Sequence, residues 1–228
     1  MSHFSCLVFS NHPRNVDSLL DPYCESDEAY YEFVPANEQE IRHNYNSYMK
    51  RCPEADDTFE QYALDSGYSQ ENGCWGYYCN PNAKWDWWQI GGRWSSMLRT
   101  KDDGESCDSA KAPDVDFSED PELAAEAERF WENFVEEKDP SAEFSIFNKH
   151  YYLERYSTKA DYVKACAEFS AHAFVTPEGE WFEEGQMGWF AVDDATPATI
   201  RAFNDNLKIM IERAIAEDLW VTVVDCHI

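Results

Sequence analysis

Hydrophobic positions change period along this chain, and the changes mark out its elements. Residues 3–10 (HFSCLVFS) alternate as a strand, with Phe4, Cys6 and Val8 on one face. A polar and aromatic connection follows over 11–36. Asn37, with Glu40 three positions on, resembles a capping box and opens a helix to about Lys50. Pro53 can start a second helix, with Phe59, Tyr62 and Ala63 on one side and Gly67 as its stop. Residues 84–90 (KWDWWQI) are aromatic and β-prone, and read as a strand. Gly91-Gly92 permits a tight turn, and 93–98 returns as the partner strand of a hairpin. Residues 102–119 are polar and poor in apolar side chains, which predicts a mobile surface loop.

The second half is more regular. Asp120-Pro121 caps a helix over 121–138 with an apolar stripe of Leu123, Ala127, Phe130, Phe134 and Val135. Ser157 and Asp161 flank the start of another, with Tyr162, Val163, Cys166 and Phe169 along one side. Strands are expected over 171–176, 180–183 and 187–192, with Pro177-Glu178-Gly179 as a turn. Thr196-Pro197 caps a long helix with Ile200, Phe203, Leu207, Met210, Ile211 and Ala214 at helical spacing. The chain ends in a strong strand, Leu219 to Val224. These elements predict an α+β fold: a mainly antiparallel sheet with amphipathic helices packed on one face. The terminal strands are expected to pair near its centre, as in ferredoxin-like arrangements. A single domain over 1–228 is expected, with an acidic loop-plus-helix insertion at about 102–143.

Charge changes the picture next. The 228 residues hold 18 Lys and Arg against 45 Asp and Glu, a net −27. Segment 17–71 carries 14 acidic and 3 basic residues, and segment 102–143 carries 16 and 3. The window 72–101 runs the other way: Lys84, Arg93, Arg99 and Lys101 against Asp86 alone. That basic window coincides with the densest aromatic cluster, Trp75, Trp85, Trp87, Trp88 and Trp94. Such acidity disfavours direct contact with nucleic-acid phosphate and suits a basic macromolecular surface, though acidic charge also simply keeps proteins soluble. With 43% hydrophobic and 16% aromatic residues, the chain can bury a sizeable core. No apolar run approaches the ~20 residues of a membrane span, and no signal-peptide pattern opens the chain. A cytoplasmic location is the expectation. The eight cysteines form no C-x-x-C pair and read as reduced thiols. Cys74 and Cys79 lack a matching second pair, so neither metal nor cofactor is expected.

Two constellations carry candidate chemistry. The first is Trp85, Asp86, Trp88, Gly91, Gly92, Arg93 and Trp94. As core, these would be buried tryptophans on a hairpin, with an Asp86–Arg93 ion pair. As a ligand floor, tryptophan would stack on a planar group, and glycine N–H groups would face an anion. Arg93 would then fork onto carboxylate or phosphate. The second is His3, Asp225 and His227, which meet if the terminal strands pair. They would form hydrogen-bonded trim at a sheet edge, or a group that binds metal or moves protons.

The stretch Asn80-Pro81-Asn82-Ala83-Lys84-Trp85-Asp86-Trp87-Trp88, followed by Ile90-Gly91-Gly92-Arg93-Trp94, resembles a family of uncharacterised phage and bacterial proteins. The opening Met1-Ser2-His3-Phe4, the segment Pro22-Tyr23-Cys24-Glu25 and the ending Val224-Asp225-Cys226-His227-Ile228 resemble it too. The resemblance implies a phage or mobile-element setting, hence the cytoplasm of a host cell, and little chemistry. Two functions are therefore expected as alternatives. One is an acidic accessory protein that binds the basic surface of a host or defence complex, as an inhibitor or nucleic-acid mimic. The other is a binding protein or hydrolase for a small anionic ligand such as a nucleotide.

Overall fold

The structure, a computed structural model, describes residues 2–102, 105–141, 143–145, 147–188 and 192–228. Met1 of the opening motif, residues 103, 104 and 142 of the expected insertion, and residues 189–191 of the strand expected over 187–192 lie outside the described residues.

In chain order the elements are β1 (His3–Ser10), α1 (Val16–Leu20), β2 (Glu32–Pro35), α2 (Glu38–Arg51), α3 (Phe59–Asp65), β3 (Ser69–Glu71), β4 (Cys74–Cys79), β5 (Trp87–Ile90) and β6 (Leu98–Arg99). Then come β7 (Ser106–Cys107), β8 (Ser109–Lys111), α4 (Pro121–Phe130), α5 (Lys149–Arg155), α6 (Lys159–Ala167), β9 (Ala173–Val175), β10 (Trp181–Glu183), α7 (Pro197–Ala216) and β11 (Trp220–His227). The fold is α+β. Two compact units emerge: residues 1–19 with 87–228, and residues 20–86. Among the described residues no helix is long and apolar enough to cross a membrane.

The larger unit is built on a sheet of order β10-β9-β1-β11-β5, with β8 also paired to β11. The terminal strands lie side by side at its centre, antiparallel from His3↔His227 to Ser10↔Trp220. Ser2 and Ile228 extend the ladder by exchanging backbone hydrogen bonds of 3.0 and 3.1 Å. Both strands are buried almost throughout, as unbroken apolar and β-branched runs demand of central strands. β9 lies parallel to β1, while the other pairings of this sheet are antiparallel. What the sheet shares with a ferredoxin-like arrangement is the pairing of its terminal strands.

Leu7, Phe9, Val221, Val223 and Phe174 pack with Phe203, Leu207, Met210 and Ala214 of α7. The Thr196–Thr199 capping box and Pro197 start that helix where its sequence predicts. The opposite face, Cys6, Val8, Val224 and Cys226, is equally buried.

Three local expectations are corrected. The expectation of a surface loop over 102–119 fails for residues 105–119: β8 pairs β11, and Ala112 and Val115 are wholly buried in the core. The first part of the expected insertion is thus integral to the larger unit. Residues 93–98 do not form a hairpin with β5. Gly92–Trp94 is a 3-10 turn, β6 pairs β7, and β5 pairs β11. The helix expected from Pro53 starts instead at Phe59, where the Thr58 hydroxyl accepts the Gln61 N–H.

The smaller unit holds a β2-β4-β3 sheet and a cluster of Ile41, Phe59, Ala63 and Trp75. Asn80, buried, donates to the carbonyls of Pro22 and Cys24 at 2.8 and 2.9 Å and accepts the Asn82 N–H. Lys84 N–H donates to Tyr23 O, and Glu25 N–H to Trp85 O, each at 2.8 Å. Residues 22–25 are thus tied to 80–85, and Ser2 and β1 to the C-terminal strand.

Candidate functional site

The register of β1 on β11 sets His3 opposite His227 and Ser5 opposite Asp225. Residues directly opposed in an antiparallel pair point to the same face, and diagonal neighbours stay within reach. His3 and Asp225 use that diagonal, with Nδ1 and Oδ1 2.8 Å apart. On the other side of β11, β5 places Gln89 opposite Asp225 and Trp87 opposite His227. Trp87 and His227 stack at 5.1 Å with their planes 16° apart. His3 meets both rings edge-on, at 4.8 Å from His227 and 5.4 Å from Trp87. Asp225 and His227 are buried, whereas Trp87 is 41% exposed.

After β5 the chain turns sharply. Gly91 (φ +69°) and Gly92 (φ +56°) adopt left-handed backbone. This conformation favours glycine, and space requires it as well. A Cβ on Gly92 would run into the Asp225 carboxylate, and one on Gly91 into that of Asp108. The turn delivers the Arg93 N–H to Asp225 Oδ2 at 3.0 Å. Asp108 accepts the Ser95 hydroxyl at 3.2 Å and the Ser96 N–H. The glycines thus do face anions, but the anions are carboxylates of the protein itself.

Asp225 collects three donors: His3 Nδ1, the Arg93 N–H, and Gln89 Nε2 at 3.4 Å. Burial pushes its carboxyl up, but these hydrogen bonds outweigh burial and hold it below the usual carboxylate range. An ionised carboxylate only accepts, so His3 donates through Nδ1, and Nε2 becomes the basic nitrogen. A carboxylate-oriented imidazole of this kind can take or give a proton.

The two constellations expected from sequence are partly one. Gly91, Gly92 and Arg93 join His3, Asp225 and His227. Trp88 lies on the other face of β5, opposite Cys226, and Trp94 packs on the core. Trp85 and Asp86 belong to the smaller unit, since the division falls between Asp86 and Trp87. Trp85 is buried, and its Nε1 has no hydrogen-bond partner among the described residues. A buried Asp86–Arg93 pair is excluded, because both residues are exposed. Trp87, Gln89 and Asp108 were not among the candidate site residues. Alternation along 84–90 puts the first two on one face, and the pairing with β11, rather than with 93–98, is what brings that face to Asp225 and His227.

A second group is invisible in the sequence. His172, Glu184 and Asp193 each bring a donor atom, and the three atoms lie within 4.8 Å of one another. Burial pushes the Glu184 carboxyl up to about 7. The Arg155 charge opposes the rise, and Asp193 adds to it. No protein-family model, curated protein or solved structure matches the chain.

Proposed function

We propose that the chain binds a small, ring-bearing anionic ligand of the nucleotide class at the end of the central sheet, and that His3 exchanges a proton with it. The observation that carries this reading is the His3–Asp225 pair, with His3 edge-on to both the half-exposed Trp87 and the buried His227 stacked on it. Trp87 offers a planar face, and stacking on tryptophan is indifferent to which base is bound. Arg93 is exposed, its backbone is fixed by Asp225, and its side chain supplies a fork for phosphate or carboxylate. Asp225 keeps the His3 tautomer and ring orientation constant, as acid–base work requires. The anion is met by side chains, since Asp225 already takes the Arg93 N–H.

Thermal melts with a nucleotide panel test the reading. At least one nucleotide should raise the melting temperature of the wild type. Arg93→Ala and Trp87→Ala should lose that rise while melting near wild type alone. If no nucleotide shifts the wild type, the reading fails. His3→Gln separates the steps: it should keep the thermal shift and lose any turnover.

A second reading rests on charge. Lys138, Lys149, Lys159 and Arg213 are each tied to glutamates of the chain itself. On α4 this leaves an acidic excess: Glu122, Glu126 and Glu128 stand against Arg129, and Lys159 reaches Glu128. Together with the resemblance to phage and bacterial proteins, it supports binding to a basic surface of a host or defence complex. Such binding should weaken steeply with salt, and recovery of the same partner at low and high salt would count against it.

A further inference from the structure

We propose that His172, Glu184 and Asp193 form a site for a divalent transition-metal ion, independent of the ligand site at His3. The three side chains come from separate stretches that the sheet brings together. His172 immediately precedes β9, Glu184 immediately follows β10, and Asp193 lies on the segment returning toward α7. Their backbones are pinned. His172 N–H donates to Ser5 O at 3.1 Å, and Glu184 N–H to His172 O at 3.0 Å. Asp193 bridges Met187, and Asp193 Oδ1 accepts the Ala195 N–H at 3.1 Å. Gln186 N–H donates to Asp194 Oδ1 at 2.7 Å. Gly185 lies so close to the returning segment that a Cβ would sit 2.5 Å from Ala195 N. The Phe4 ring packs edge-on against His172 at 5.2 Å and restrains the imidazole.

Electrostatics favours a cation here. Two half-buried carboxylates face one another, and among the described residues neither is in an ion pair within 4.0 Å. Arg155 acts on both from farther out. Carboxylates taken from water without a close counter-charge are costly, and a bound cation removes that cost. One imidazole nitrogen with two carboxylate oxygens suits Mn²⁺, Fe²⁺ or Zn²⁺ better than the all-oxygen preference of Ca²⁺ or Mg²⁺. Bonds of ~2.0–2.2 Å let one ion bridge two donors up to ~4.4 Å apart. Three donors around one ion sit at most ~3.8 Å apart at such bond lengths, so the three, within 4.8 Å of one another, need to close by up to ~1 Å.

Mn²⁺ is the probe of choice, because a hard ion ignores the eight thiols. The full chain is stripped with chelator and titrated with Mn²⁺, reading the free-ion resonance and the melting temperature. One ion should bind per chain and raise the melting temperature. Glu184→Gln, which keeps the side-chain shape and removes a charge, should weaken binding more than ~10-fold, and His172→Ala at least as much. Glu126→Gln, on the exposed face of α4, should leave it unchanged. Absence of stoichiometric Mn²⁺ binding by the wild type overturns the proposal and leaves Arg155 as the counter-ion. Binding that survives Glu184→Gln intact overturns it too, as diffuse attraction to an acidic surface.

Discussion

Two carboxylate–imidazole groups sit in the same unit and face opposite electrostatic conditions. Asp225 is fully buried, yet three hydrogen-bond donors hold it ionised. Its carboxyl falls below the usual range although burial alone would raise it. Glu184 is half-buried, and burial pushes its carboxyl up to about 7; the Arg155 charge opposes the rise, Asp193 adds to it, and among the described residues no hydrogen-bond donor reaches its carboxylate. The difference shows that depth alone does not decide the charge of a buried acid. The hydrogen-bond donors around it, side-chain and backbone, decide it together with burial. At Asp225 the Gly91–Arg93 turn supplies one, and the site is complete within the chain. At Glu184 the place of a cation is left to something else.

The largest effect should come from removing the completed group. Asp225→Ala strips the acceptor from His3, Gln89 and the Arg93 N–H, and should cost ~3–5 kcal/mol, the usual penalty for breaking a buried pair from one side. Denaturant unfolding measures it. Gly92→Ala should follow at ~1–3 kcal/mol, since it adds left-handed strain and drives a methyl into Asp225. A near-neutral result would mean that the turn can move away from the carboxylate.

The pH dependence of the two groups should have opposite signs. Asp225 has a lowered folded pKa, so its stabilisation is present above the unfolded value, near 3.8. That stabilisation is lost as pH falls through the folded value. Glu184 has a raised folded pKa, so metal-free protein carries a penalty above about 7 that disappears as pH falls toward 4.5. Glu184→Gln should therefore melt higher than wild type at pH 8, with the gap closing by pH 5. A constant gap would show that Glu184 does not titrate between them. The smallest effect belongs to Arg93→Ala. The side chain is exposed, so stability should change by less than ~0.5 kcal/mol. A larger loss would make Arg93 a structural partner of the Asp225 group.

What the sequence determined by itself was local. The apolar runs of β1 and β11 marked central strands. The Thr196-Pro197 cap and the spacing from Phe203 to Ala214 marked α7, and Asp120-Pro121 marked α4. Each depends on neighbours within a few residues, where propensity and capping act. Pairing of the chain ends could be inferred as well, and it placed His3 near Asp225 across 222 positions. The tertiary structure alone decided the rest. Ser109-Ala110-Lys111 has no strand pattern and becomes β8 only because β11 has an edge to fill. Trp87 and Gln89 reach the site because β5 joins β11 rather than 93–98. His172, Glu184 and Asp193 converge only through the register of β9 and β10 and the return of the chain beside Gly185. A partner strand far along the chain is chosen by which faces can be buried together. That choice depends on the whole core at once, and no window of sequence contains it.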